Sequence, residues 1–261
     1  MTIQHLWALD APTISTDGGL FQLGTGGSDL AVPIPTFLIQ HEGGLLVFDT
    51  GLATDAAGDP ARAYGPLAEA FDMSFPPEAR IDTQLESLGF STSDVTDVVL
   101  SHMHFDHTGG LELFPTARGF IGEGELAYSR SPRRLDAAMY REEDIAAAGQ
   151  IDWLEIPQGV DHDIFGDGSV VVLSMPGHTH GTLSLKLSPP DHRTIILTSD
   201  AAHLQSNIDE TTGMPLDVDT RNKERSLRRL RLLASQPNTT VWANHDPDHW
   251  KQFRREGRQI V

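Results

Sequence analysis

The chain has no cysteine, so disulfides and thiolate zinc sites are excluded and any bound metal must rest on His, Asp or Glu. It has no long hydrophobic run either. No stretch approaches the roughly 20 apolar residues of a membrane-spanning helix. The opening MTIQHLWALDAPT lacks both the basic region and the unbroken apolar core of a secretory signal. Cations are scarce, 19 Lys and Arg against 37 Asp and Glu, for a formal charge of −18. So acidic a surface repels phosphate backbones and anionic lipid, which counts against nucleic acid and membranes as partners. Repeats, low-complexity tracts and obvious linkers are missing as well. One domain over residues 1–261 is therefore expected, in a soluble, cytoplasmic protein.

With 261 residues, 39% of them hydrophobic, the chain is long enough to bury a sizeable core. Its few cations are concentrated at one end. Residues 221–261 hold ten (Arg221, Lys223, Arg225, Arg228, Arg229, Arg231, Lys251, Arg254, Arg255 and Arg258) against four acids, a net of +6, so the first 220 residues carry −24. This basic segment either lies on the acidic body or faces a second subunit, which leaves a homodimer open.

Short β-rich runs alternate with turns and amphipathic stretches. PTFLIQ (35–40), the turn HEGG and LLVFDTG (45–51) read as a hairpin ending in Asp-Thr-Gly. Residues 95–101, 117–122, 169–175, 182–188, 193–200 and 239–246 read as further strands. Helices are expected at 79–90, on Ile81, Leu85 and Leu88, and at 221–235, with Leu227, Leu230 and Leu233 inward and a basic outer face. The segment 52–78 has no clean period and carries Tyr64, Leu67, Phe71, Met73 and Phe75 among Gly and Pro. It reads either as an irregular, flap-like insertion or as a helix-containing piece packed on the core.

Four of these strands end on a residue able to bind metal: His102, His178, Asp200 and His245. Such coincidence suggests one cluster at a common sheet edge, where α/β proteins place ligand sites. SHMHFDHTGG (101–110) is the densest part. In an extended chain residues i and i+2 project to one side, so His102 and His104 can grip one ion and Asp106 continues that direction. His107 breaks the phase unless the chain turns at Thr108-Gly109-Gly110. The spacing favours two adjacent ions over one, and zinc, manganese, iron and cobalt all accept mixed imidazole and carboxylate donors. Lone histidines are more often core or surface residues than ligands, and we read His5, His41, His162, His180, His192 and His249 in that way; His180, two residues from His178, is the closest to a supporting role.

HMHFDH (102–107), His178 in PGHTHG, Asp200 in TSD, His245 in NHD and Phe48-Asp49-Thr50-Gly51 resemble, in order, the dinuclear motif of the metallo-β-lactamase-fold hydrolases. The resemblance spans about residues 33–246 and is strongest to the N-acyl-homoserine lactone lactonases. It implies a four-layer αββα sandwich of two mixed β-sheets flanked by helices. It also implies two divalent metal ions, zinc foremost, with His102, His104 and His178 at the first, Asp106, His107 and His245 at the second, and Asp200 bridging. A bridging hydroxide would attack a lactone carbonyl, and Asp106 would move a proton onto the ring alkoxide. Asp49 either orients a ligand histidine from behind or only caps its own turn.

The chain departs from that lactonase pattern at His203, where a tyrosine that bonds the substrate carbonyl is usual. His203 could donate the same bond, touch a metal, or reflect a different substrate. Asn244 and Thr182 are smaller departures. A thioester hydrolase of the glyoxalase II kind and a phosphodiesterase are the alternatives, although SDAAHL and NHDP fit the first poorly and the acidic charge fits a nuclease poorly. A non-catalytic, metal-stabilised binding module would be favoured by a missing ligand, and none is missing.

Overall fold

The computed structural model describes residues 2–254 and 259–261, so Arg255 and Arg258 of the basic segment lie outside the described residues. Among these, the strands are β1 (Ile3–Ala8), β2 (Thr13–Asp17), β3 (Asp29–Pro33), β4 (Phe37–His41), β5 (Gly44–Phe48), β6 (Asp97–Val99), β7 (Arg118–Gly122), β8 (Asp152–Ile156), β9 (His162–Asp163), β10 (Val170–Ser174), β11 (Leu183–Leu187), β12 (Thr194–Leu197) and β13 (Thr239–Trp242). One sheet runs β1-β4-β5-β6-β7-β8, antiparallel as far as β5 and parallel from there on. The second runs β13-β12-β11-β10-β9, antiparallel except where β12 meets β13. Strands β2 and β3 form a separate ribbon.

Side-chain alternation builds the layers. Along β5, Leu46 and Phe48 enter the core between the two sheets, whereas Leu45 and Val47 pack outward with Ile81, Leu85 and Phe114. Along β12, Ile195 and Leu197 face that same central core, and Ile196 packs outward with Ile208, Leu227 and Leu230. Each strand is thus buried on both faces, which is why its sequence reads as an unbroken apolar run. The result is helix–sheet–sheet–helix, with both sheets mixed, as the sequence resemblance implied.

The expected hairpin forms, with Phe37 opposite Phe48 and His41 opposite Gly44. Helix Ile81–Ser87 lies within the stretch 79–90 read from the sequence, and helix Thr220–Ala234 matches the stretch 221–235 to one residue at each end. Segment 52–78 is not irregular: it contains two short helices, Pro60–Tyr64 and Pro66–Ala70, with 3-10 turns on either side. Gly58, Gly65 and Pro66 cut it into pieces too short to show a period. Leu52, Ala56, Tyr64 and Phe75 are buried there, and the Tyr64 hydroxyl accepts the Ala53 N–H at 2.7 Å. Among the described residues, no helix is long and apolar enough to cross a membrane.

Candidate metal centre

Strands β5 and β6 of the first sheet and β10, β12 and β13 of the second end near one another, and the residues that follow them form the site. The chain is extended only as far as His104 (φ −72°, ψ 153°) and then makes a helical turn, Phe105–Thr108. This corrects the expectation that Asp106 continues the direction of His102 and His104. The turn brings both Asp106 and His107 round to a second position.

The seven predicted residues fall into two buried groups, His102, His104, His178 and Asp200 in one and Asp106, His107 and His245 in the other. Within each group one candidate donor atom per residue lies within 4.8 Å of the others. Asp200 faces both. Its Oδ1 is 3.1 Å from His245 Nε2 and 3.4 Å from His107 Nε2, while its Oδ2 is 3.3 Å from His178 Nε2 and 3.7 Å from His102 Nε2. Asp106 Oδ2 lies 3.4 Å from His107 Nε2 and 3.7 Å from His245 Nε2.

The surroundings fix the tautomer of four of the histidines. His245 Nδ1 is 2.7 Å from the Pro33 carbonyl, which can only accept, so Nδ1 carries the hydrogen. His107 Nδ1 is held in the same way by Asp49 Oδ2 at 2.8 Å, and His178 Nδ1 by Asp217 Oδ1 at 3.3 Å. Ser101 Oγ donates to Asp49 at 2.9 Å and so accepts from His102 Nδ1 at 3.0 Å. Each of these four rings therefore turns Nε2 into the cluster, with its lone pair free whenever the ring is neutral. Among the described residues, the Nε2 atoms of His102 and His107 are buried with no hydrogen-bond partner, and His104 turns its Nδ1 to His178 Nε2 at 3.0 Å. Buried acceptors left unpaired in converging groups are costly unless a cation takes them up, so the residues fit divalent metal.

Charge is arranged to the same end. Burial holds His102 and His178 well below the usual histidine range and brings His104 to about 4, so these rings stay neutral as metal ligands must. His107 and His245 are also buried, but the carboxylates of Asp106 and Asp200 outweigh that and raise both. Against its own desolvation, Asp200 is kept ionised by His203, His107 and His245.

Asp49 orients a candidate ligand from behind rather than only capping its turn. Besides His107 it accepts the Ser101 N–H at 2.8 Å and the Ser199 hydroxyl at 3.1 Å. Asp49 and Ser199 both have left-handed backbones (φ 57° and 44°), a strained geometry held at the point where the two sheets meet. Buried Glu125 is a support that the sequence reading missed. It accepts the Gly181 N–H at 2.7 Å and the Met103 N–H at 3.3 Å, joining the two ligand-bearing loops. No motif marks it.

His203 is buried, with Nε2 3.1 Å from Asp200 Oδ2 and its ring stacked 5.6 Å from that of His245. Asn244 Nδ2 reaches the other oxygen of Asp200 at 3.3 Å, and Thr182 bonds within its own turn to Thr179. His180 packs its ring on Tyr128 at 4.9 Å, and His41 pairs with Asp167 at 3.0 Å. None of the six histidines read as non-ligands falls in either group.

Asp106, His178, Asp200, His203 and His245 floor a cleft whose walls are apolar, with Leu20, Phe21, Phe71, Phe105, Met139 and Met214 among them. Phe71 comes from the 52–78 segment. Phe21 sits in a glycine-rich loop, 6.2 Å from His203 and 6.1 Å from His245, and its carbonyl accepts from Asn207 at 3.1 Å. The sequence reading gave that loop no role; GGLFQLGTGG around a single aromatic was the available signal.

Comparison with known proteins agrees with this geometry. The model of the metallo-beta-lactamase superfamily matches residues 30–245. The chain is 32% identical over 258 residues to the N-acyl homoserine lactonase AttM of Rhizobium radiobacter, covering 98% of both chains. It is 27% identical to an N-acyl homoserine lactonase of Bacillus cereus, covering 96% of each. A solved N-acyl homoserine lactone hydrolase, with the product N-hexanoyl-L-homoserine at its catalytic metal center, superimposes with a TM-score of 0.84 at 24% identity, over 97% of this chain and 98% of that one.

Proposed function

Since the chain belongs to the metallo-β-lactamase superfamily, we propose that it is a metal-dependent lactonase hydrolysing the ring ester of N-acyl-homoserine lactones or similar small lactones. Such an activity quenches quorum signals. The observation that carries the reading is the set of fixed tautomers: four histidines present Nε2 lone pairs beside two carboxylates at the floor of an apolar cleft.

His102, His104 and His178 would hold one divalent ion, Asp106, His107 and His245 a second, and Asp200 would serve both. Zinc is the first choice, and manganese, iron and cobalt suit the same donors. Bound metal supplies acidified water and electrophilic pull on an ester carbonyl. The chain's own residues do the rest. Asp106 is kept ionised, despite burial, by His107 and His245, and so can accept the proton of the attacking water. It returns that proton to the ring oxygen as the C–O bond breaks, giving the open hydroxy acid. His203 Nε2 as donor to Asp200 holds the shared carboxylate, and its ring forms part of the cleft that receives substrate. The apolar wall suits an acyl chain and excludes water from the reacting carbonyl.

The partner is a small molecule, with no role for nucleic acid or membrane, in a soluble cytoplasmic enzyme of one domain. Arg229 pairs with Asp161 at 2.5 Å, so at least part of the basic segment lies on the acidic body, and the remaining outward cations leave room for a homodimer. Metal analysis of protein purified without chelators should find two ions per chain. A pH-indicator assay should detect ring opening of acyl-homoserine lactones or γ-lactones. A folded, metal-free, inactive protein would remove the reading, and turnover of only lactoylglutathione or a nitrophenyl phosphodiester would transfer it to the thioester or phosphodiester alternative.

A further inference from the structure

Lys223 is 1% exposed and, among the described residues, the most deeply buried Lys or Arg of an acidic chain. The sequence reading placed it with the basic outer face of its helix, but Lys223, Leu227 and Leu230 (i, i+4, i+7) share the inward face of Thr220–Ala234. The helix starts at a capping residue, Asp219, whose side chain accepts the Asn222 N–H at 3.0 Å. One turn in, this face leaves the apolar cluster and meets the back of the metal centre.

There the ammonium makes two contacts. Nζ donates to the backbone carbonyl of Asp200 at 2.7 Å and lies 3.4 Å from Asp217 Oδ1. Asp217 Oδ1 is the atom that holds His178 Nδ1 at 3.3 Å, and Asp217 Oδ2 accepts the Met214 N–H at 2.8 Å. The same stretch is tied to the backbone of the histidine loop: Val218 N–H donates to His178 O at 3.0 Å and Asp219 N–H to Gly177 O at 2.9 Å. Packing leaves no slack. A Cβ on Gly177 would stand 2.2 Å from Lys223 N, and one on Gly213 would stand 2.1 Å from Asp217 Oδ2.

We propose that Lys223 is a positioning residue whose ammonium locks Asp200 and His178, two members of the first group, into register and so sets how tightly that group holds its ion. The inference rests on the reading that the two groups bind metal. Its physical basis is economy of attachment. One buried cation spans a shared carboxylate residue after β12 and a histidine after β10, which no backbone hydrogen bond between those strand ends does, since β11 lies between them. A buried ammonium is costly unless it is fully engaged, and here its engagement coincides with the ligands. The second group has no such tie. Its histidines hang elsewhere, His107 on Asp49 and His245 on Pro33, and it shares only Asp200 with the first group, so loss of Lys223 should weaken the first ion more than the second.

The test uses the full chain loaded with zinc and dialysed against graded chelator, with ions per chain counted at each step. Lys223→Met should release one of its two ions at 10- to 100-fold lower chelator than the unaltered protein, roughly the effect of losing an outer-shell partner, and release the other with a smaller shift. The cobalt-substituted variant should show an altered visible band from one of the two sites. Because Lys223→Met leaves the Asp217 carboxylate without its ammonium partner, Lys223→Arg, which keeps the charge, is measured beside it, and the metal-free melt of each variant is recorded to show that it is folded. Lys223→Arg should retain the first ion better than Lys223→Met does. A folded variant with unaltered release of both ions and an unaltered cobalt spectrum overturns the proposal, as does equal weakening of both ions. An unaltered protein that binds no zinc at all would instead remove the metal reading itself.

Discussion

Substituting Asp49 by asparagine keeps the shape of the side chain and reverses the sense of one of its hydrogen-bonding ends. The native carboxylate accepts from four donors, the Ser101 N–H and hydroxyl, the Ser199 hydroxyl and His107 Nδ1. An amide can accept on one side only, so whichever way it is turned its NH2 opposes a donor. Turned toward Ser101, it confronts a backbone N–H that has no rotational freedom. Turned toward His107, it forces the proton from Nδ1 to Nε2 and removes the lone pair aimed at the second group. Leaving one buried polar group unpaired costs about 1–3 kcal/mol. Metal binding selects the first orientation and so bears that penalty, which corresponds to roughly 5- to 150-fold weaker retention by the second group, since about 1.4 kcal/mol is tenfold. The backbone adds nothing, because asparagine tolerates the left-handed φ of 57° at this position at least as well as aspartate does. Chelator titration of Asp49→Asn, with ions counted per chain and lactone turnover followed in parallel, reads the effect. Retention of both ions at the unaltered chelator concentration would refute the tautomer argument.

Acid should release the two ions in order. A proton competes best for His107 and His245, which their carboxylates raise, and worst for His102 and His178, which burial lowers, so falling pH should empty the second group before the first; ion counts on dialysis between pH 7 and 4 check this, and simultaneous loss would contradict it. His203→Ala and His203→Tyr should retain two ions while changing kcat/KM and substrate preference, whereas equal ion loss in both would make His203 a ligand. Gly109→Ala should lower the stability of the metal-free protein by about 3 kcal/mol or more, the upper end of overpacking costs, because its Cβ would lie 1.9 Å from Ala53 N; a thermal melt within a degree or two of the unaltered protein would contradict that.

The residues that form the two groups were legible because each follows an apolar run, and a strand end is among the few places where sequence position predicts spatial convergence. The eight strands read from the sequence were legible for a related reason: burial on both faces leaves little but β-branched and aliphatic residues. What escaped notice was built differently. β1 mixes buried and exposed residues, β8 is largely exposed, and β9 is only two residues long. Lys223 could have been found, since it stands four residues before Leu227, but its charge assigned it to the surface. Asp217 and Glu125 carry no local pattern at all; they matter only through what the fold sets against them, 39 residues away at His178 and 56 at Gly181.

The candidate ligands stand at the ends of strands, whereas much of the cleft wall stands elsewhere: Leu20 and Phe21 on a loop between β2 and β3, Phe71 just past a five-residue helix, Met139 on a 3-10 turn, Met214 on the approach to helix Thr220–Ala234. Chemistry and choice of substrate are thus borne by separate stretches of chain. Loops tolerate change that strand ends holding a metal do not, so descendants of this protein can exchange one wall for another without rebuilding the reaction. A shift of substrate in this lineage should leave its trace in those four segments, with the seven candidate donors untouched.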